Sequence, residues 1–226
     1  MANPPVDPEA AHAGAVVDAK RLLRLARTGA LATLDPASGA PLFLMSTLSR
    51  HTRNLSGDPR ASLLLTGEPE RGDPLNHPRI TLGGLVGKAA SPQIRTRYLQ
   101  RNPKAKLYAD FADFAFFRLA IETVHFNGGF GRADLLTPAD ILLSAPAPAI
   151  AAAEERLTNW VNALGDEALS RLAGERPGGR QVWRAVGLDP EGLDLAAGAQ
   201  AARVQFPAAA RDEAEWRALL ASAREV

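Results

Sequence analysis

The stretch that decides the fold is residues 44–65, LMSTLSRHTRNLSGDPRASLLL. Its two ends are apolar runs of strand length. Between them lie Ser46, Thr47, Ser49, Arg50, His51, Thr52 and Arg53, hydroxyl and cationic side chains placed where one core strand hands over to the next. The pattern predicts a strand ending at Ser46, a short helix opening near Ser49 and a second strand over 61–67. A helix start presents backbone N–H groups with no acceptor of their own, and arginine forks beside it suit a phosphate. The same residues also read as a solvated loop with Ser49 or Thr52 as an N-cap, and residue type alone leaves both readings open.

Working outward, residues 8–27 carry Val16, Val17, Leu22, Leu23 and Leu25 among Ala, Lys and Arg, the pattern of an amphipathic helix. ALATLD (30–35) and APLFLMS (40–46) flank Pro36, Ser38 and Gly39 as a β-hairpin. PERGDPLNHP is a Pro/Gly loop, and RITLGGLVGKA (79–89) is a strand whose glycines predict a bulge or a close backbone approach. SPQIRTRYLQRNP (91–103) reads as a helix with Ser91 as N-cap, Pro92 at the first position and a stop at Asn102-Pro103. AFFRLAIETVHFNGGF is a long strand running into a glycine turn. Short strands joined mostly by turns argue for a β-barrel with peripheral helices rather than a βαβ sheet.

Residues 144–152, SAPAPAIAA, form a Pro/Ala hinge that divides a barrel domain, 1–143, from a small C-terminal α+β domain, 149–226. The second block reads as a helix over 149–172 broken at Gly165, three strands in QVWRAVGLD, LDLAAG and ARVQFP, and a closing helix in RDEAEWRALLASARE.

Composition excludes several functions. A net charge of +1 gives no bulk attraction to nucleic acid or to an anionic membrane. The absence of cysteine removes disulfides, thiolate catalysis and Cys-ligated metal centres. No apolar run reaches the roughly 20 residues of a membrane span, and the N-terminus has neither the basic nor the apolar region of a signal peptide. The expectation is a soluble cytoplasmic protein. GGFGRA lacks the Lys-Ser/Thr ending of a phosphate-binding P-loop.

SRHTRNLSGDPRASLLL resembles the phosphate-binding segment of the pyridoxamine 5′-phosphate oxidase-like, FMN-binding split-barrel superfamily. GALATLDPASGAP is similar to that family's opening hairpin, RYLQRNPKAKLYADFADFAFFRL to its helix and following strand, and HFNGGFGRADLLTPADIL to its closing glycine turn. Together with GLDPEGLDL they resemble the haem-utilisation (HugZ-type) branch, which joins a split barrel to a small C-terminal domain. The resemblance implies a homodimer with FMN at the subunit interface and a flavin-dependent oxidoreductase activity. It places the cofactor on Ser46, Thr47, Ser49, Arg50, His51 and Arg53, with Asn127 and Arg132 near the ring or substrate. The chain departs from the family in three places. A strand and turn are missing after Gly39, His51 stands where flavin-binding relatives often carry lysine, and NWVNALGDEAL replaces an Asn-Glu-Asp-His-like run.

Haem is the alternative cofactor, and its iron needs an axial His, Cys, Met or Tyr. The resemblance puts that ligand near either terminus; His12 is the N-terminal candidate, and no histidine follows His125. His12 also reads as plain surface, His77 as a loop residue, and His125 either as a half-buried structural histidine or as a site residue beside Asn127 and Arg132. Tyr108, Phe111, Phe114, Phe116, Phe117, Phe126 and Phe130 form an aromatic cluster that reads as core, as dimer interface or as a wall for a flat cofactor. Arg95, Arg97, Arg101, Lys104 and Lys106 read as a solvated helix face. No metal site and no general base is assigned. A third reading is a non-catalytic binding or regulatory protein that has kept the barrel and lost the cofactor.

Overall fold

Helix α1 (Pro8–Leu25) buries Ala15, Ala19, Leu22 and Leu23, spaced to share one face, against the main sheet. The computed structural model describes residues 8–25, 33–35, 37–67, 77–129, 132–143, 147–175 and 181–224. Pro36, Phe130, most of the 68–78 loop, the first part of the expected strand at 30–35 and the hinge residues 144–146 lie outside them.

β1 (Thr33–Leu34) and β2 (Pro41–Ser46) form the expected hairpin, with Thr33 opposite Leu42. Asp35 fastens its turn by accepting from the Ala37 amide at 3.1 Å and from Ser38 Oγ at 2.9 Å. Among the described residues no strand intervenes between β1 and β2. The chain continues through α2 (Arg50–Gly57), β3 (Arg60–Thr66), β4 (Arg79–Lys88) and α3 (Pro92–Arg101). β5 (Phe114–Asn127), β6 (Ala133–Leu136) and the single turn α4 (Pro138–Ile141) complete this block.

The sheet is antiparallel in the order β1-β2-β5-β4-β3, with β6 on the far half of β5. Among the described residues it does not close, which is the geometry of a split barrel. β5 is the spine: its first half pairs with β2 and its second half with β6. The β4 glycines do what their sequence predicts. The register steps between Gly83, opposite Thr123, and Gly84, opposite Ile121, which leaves Glu122 as the extra residue of a bulge. The inner face holds Met45, Leu65, Ile80, Leu82, Phe117, Leu119, Val124 and Phe126 under α1. A smaller cluster of Leu42, Ile94, Tyr98 and Leu99 seats α3 on the other face.

The second block contains α5 (Pro148–Asn162), α6 (Asp166–Leu172), the meander β7 (Arg184–Asp189), β8 (Gly192–Ala197) and β9 (Gln200–Gln205), and α7 (Glu213–Arg224). The break between α5 and α6 falls at Gly165, whose φ of 88° few other residues adopt. Its core centres on Trp216, Leu157, Val161, Leu193 and Phe206.

One expectation is overturned. Arg97 and Arg101 do not lie on a solvated face: they are 6% and 8% exposed, and their partners are Glu154, the Leu188 carbonyl, Asp194 and the Arg24 carbonyl. On the same helix Arg95 does reach outward, to the exposed Asp110 at 2.9 Å.

Candidate functional site

The polar run occupies the connection from β2 to β3, at the end of β5 where Ser46 pairs with Phe114. The strand ends because Thr47 turns its amide to the Asp113 carbonyl at 2.8 Å. Ser46 Oγ donates to the Asp113 carboxylate and accepts from the Leu48 amide at 3.1 Å. Ser49, the N-cap of α2 in extended conformation, donates to the Ser46 carbonyl at 2.8 Å. Its hydroxyl also meets Thr52 Oγ1 at 2.7 Å and His51 Nε2 at 3.1 Å. Ser46, Ser49 and buried Thr52 are therefore used in building the turn. Thr47, Arg50, His51 and Arg53 face solvent.

No ion pair among the described residues engages Arg50 or Arg53, and the first turn of α2 contains no acid. The first amides of any α-helix lack intrahelical acceptors, so this corner concentrates positive potential. The Asp113 carboxylate, held by Ser46, keeps an anion away from the base of the turn and leaves the arginine side open.

Beside the turn lies an apolar surface. Leu48 is 74% exposed, Leu107 78%, Phe111 58% and Tyr108 36%. Tyr108 and Phe111 pack on Phe114, the cross-strand neighbour of Ser46, at ring separations of 5.1 and 6.3 Å. Of the aromatic cluster read from the sequence, Phe117 and Phe126 belong to the inner core and Phe116 stacks edge-on against Tyr98 at 5.4 Å. Tyr108, Phe111 and Phe114 form the patch beside the turn.

Asn127 and Arg132 sit elsewhere. Asn127 ends β5 opposite Ala133, so within one chain the length of β5, roughly 40 Å of extended strand, separates it from Ser46. Asn127 Oδ1 accepts from the Gly129 amide at 3.0 Å, and Arg132 pairs with Asp18 of α1 at 2.8 Å. His12 is at this second end, its Nδ1 2.9 Å from Asp134 Oδ2. His125 is exposed on the outer face of the sheet, in a cross-strand row with Leu64, Thr81 and Leu135. His77 lies in the bend before β4. Among the described residues no cluster of three potential metal ligands occurs, and no helix is long and apolar enough to cross a membrane.

Comparison with known proteins follows the architecture. The sequence pattern of the CREG β-barrel family matches residues 28–141. A protein of unknown function from Agrobacterium tumefaciens is 34% identical, with a TM-score of 0.76 over 98% of this chain and 100% of that one. A heme binding protein from Mycobacterium smegmatis is 27% identical over 98% of each chain, with a TM-score of 0.47. The chloroplastic heme oxygenase HOZ of Arabidopsis thaliana is 37% identical over 102 residues, a segment that makes up 44% of this chain and 30% of that protein. This chain thus matches less than a third of that relative's length. With half of the sequence fitting the family pattern and nearly all of it paralleled by a 34%-identical structure, the protein belongs to the CREG β-barrel family of split-barrel proteins.

Proposed function

We propose that this protein binds a planar anionic cofactor, haem in the first place, on the surface formed by the β2–β3 connection and the Tyr108–Phe111 patch. The observation that carries the reading is proximity: exposed Tyr108 and Phe111 pack on Phe114, the strand partner of Ser46, where the turn bearing exposed Leu48, Arg50 and Arg53 begins, and neither arginine is in an ion pair among the described residues. A porphyrin needs both, an apolar bed for the macrocycle and cations for its propionates. Arg50 and Arg53, three residues apart on α2, project from neighbouring positions. The similarity to the heme oxygenase HOZ supports haem over other flat ligands. When bound, haem would supply the oxygen chemistry; this chain would hold the carboxylates and shield one face.

In this reading the candidate ligands for the iron are His12 and His51, the latter through Nδ1 because its Nε2 meets the Ser49 hydroxyl. His51 stands on the cationic turn itself. His12 is oriented through Nδ1 by Asp134, which leaves Nε2 outward, the arrangement a metal-bound imidazole uses. His12 shares its end of the barrel with Asn127 and Arg132. One cofactor touches both this group and the Ser46–Arg53 turn only if a second chain contributes one of them. The outer sheet face, where Leu64 is 52% and Leu135 78% exposed, gives such a second chain an apolar surface to cover. A homodimer is therefore part of the reading, and Leu135→Glu should convert it to monomer in sedimentation.

An FMN-dependent oxidoreductase is the second reading. The first-turn amides of α2 favour it, because a phosphate uses such amides more fully than a carboxylate does. Absorption titration of the full chain with haemin and with FMN tests both. Haem binding predicts a Soret band that saturates with haemin. Arg50→Ala and Arg53→Ala should each weaken uptake roughly tenfold or more, since a charge-assisted hydrogen bond contributes about 1.5–3 kcal/mol. Saturable flavin bands without a Soret band would replace haem by FMN. Uptake of neither would leave a barrel that has lost its cofactor.

A further inference from the structure

The junction between the two sheets is built from charge, and the charge is sorted by origin. Lys20 and Arg24 of α1 and Arg97 and Arg101 of α3 face Glu154, Asp189, Glu191 and Asp194 of the C-terminal unit. Lys20 Nζ holds both Glu191 oxygens, at 3.0 and 3.1 Å. Arg24 pairs with Asp189 and, at 3.0 Å, with Glu191; Arg97 Nε reaches Glu154 at 2.5 Å and Arg101 Nη1 reaches Asp194 at 3.5 Å. The apolar clusters do not cross this boundary: the buried residues of one run from Ile150 to Leu220, and those of the others from Ala15 to Ile141.

The acidic turn is preformed within its own unit. Asp189 Oδ1 accepts from the Glu191 amide at 2.8 Å and from Arg203 at 2.8 Å, and the Asp189 carbonyl accepts from Trp216 Nε1 at 2.9 Å. The Phe206 amide donates to the Glu191 carbonyl at 2.9 Å. Gly192, φ 155°, lets the turn close against the Val204 carbonyl, which a Cβ there would meet at 2.1 Å. A rigid acidic turn thus meets a basic stripe on α1.

Two further contacts tie α1 to the barrel: near its start His12 Nδ1 lies 2.9 Å from Asp134 Oδ2, and near its middle Asp18 pairs with Arg132 at 2.8 Å. Lys20 and Arg24 are 8 and 12 residues along from His12, roughly 12 and 18 Å of helix.

We propose that the C-terminal unit is a charge-matched clamp on α1, whose acidic turn at Asp189 and Glu191 sets the position of that helix and, through it, the engagement of His12 and Asp18 with the far end of the barrel. Buried ion pairs stabilise little as a set but leave an uncompensated charge when one partner is lost. Such a junction therefore releases as a whole instead of loosening by degrees. Release of the Lys20 and Arg24 side chains leaves the helix held by one apolar face, the Arg101 bond to the Arg24 carbonyl and the partly exposed contacts of His12 and Asp18, and local opening of this kind is what amide exchange reads. The inference does not depend on which cofactor the barrel takes.

Hydrogen exchange on the full-length chain tests it, comparing wild type with Glu191→Gln and with the milder Lys20→Met. The three tryptophans, Trp160, Trp183 and Trp216, all lie in the C-terminal unit, so their emission reports separately whether that unit stays folded. The clamp predicts α1 amides, including those around His12, exchanging at least tenfold faster, with β7–β9 amides and tryptophan emission unchanged. If Glu191→Gln shifts the emission, Lys20→Met decides. Unchanged α1 protection there overturns the clamp. So does loss of protection in α1 and β7–β9 together, which would make the two blocks one cooperative unit.

Discussion

At Gly84 a methyl group has nowhere to go. A Cβ there would stand 2.0 Å from the Ala120 carbonyl oxygen and 2.9 Å from its carbon, both backbone atoms that cannot step aside. The close approach exists because Glu122 bulges out of β5 and draws the two strands together just beyond it. Gly84→Ala should therefore destabilise the protein by about 2 kcal/mol or more, the cost of forcing extra volume into a packed site. Gly87, three residues on in the same strand, has nothing within 4 Å of the place a Cβ would take. Gly87→Ala should stay within about 0.5 kcal/mol of wild type. Urea midpoints of the two variants measure the difference, and equal midpoints would mean that the bulge relaxes to admit the methyl.

The helices differ in how much of their role their own sequence carries. In α3 the cap is local: Ser91 Oγ accepts from the Ile94 amide at 3.1 Å, and Pro92 follows where a missing N–H costs nothing. Ser91→Ala should then lose about 1 kcal/mol in the same urea assay. Such local signals are why the cap, the bulge glycines, the opening hairpin, the break at Gly165 and the C-terminal meander are all legible in residue order alone. Arg97 and Arg101 are different. They lie i, i+4 from one another and i+3 from Ile94 and Tyr98 respectively, so the helical spacing itself puts them on the buried side. Cationic side chains ordinarily read as solvated, and what overrides that is a set of acids some 50 to 100 residues distant in sequence. The β2–β3 turn is intermediate. Its strand, N-cap and helix follow from the sequence, but Asp113, which occupies Ser46, and the exposure of Tyr108 and Phe111 beside it arise only from tertiary contacts. The separation of Asn127 and Arg132 from that turn is likewise a matter of strand length and pairing, invisible in residue types.

For the molecule as a whole, the buried network ties stability to pH in two opposed ways. Burial alone would raise the Asp189 carboxyl, but the Arg203 and Arg24 guanidiniums outweigh it and hold it at about 2, below the ordinary 3.8. A group whose folded pKa is depressed stabilises the fold above its unfolded pKa and loses that contribution as pH falls through the folded value. Asp189 therefore contributes, on the order of 2 kcal/mol, at neutral pH, and this fades between about pH 4 and pH 2. Glu154 runs the other way: burial pushes its carboxyl up from 4.5 against the pull of Arg97, so its pH-linked contribution is present below 4.5 and lost as pH rises through the folded value. Asp189 and Glu154, two acids of one junction, thus respond to pH in opposite directions. Asp189→Asn should be clearly less stable than wild type at pH 7, with the gap closing as pH falls below about 4, because in the wild type the carboxylate is then being protonated as well. Urea unfolding followed by tryptophan emission across this range reads the gap directly, since Trp216 donates to the Asp189 carbonyl. A gap that stays constant down to pH 2 would show that the arginines around Asp189 stabilise it as a hydrogen-bonding shape and not as a charge.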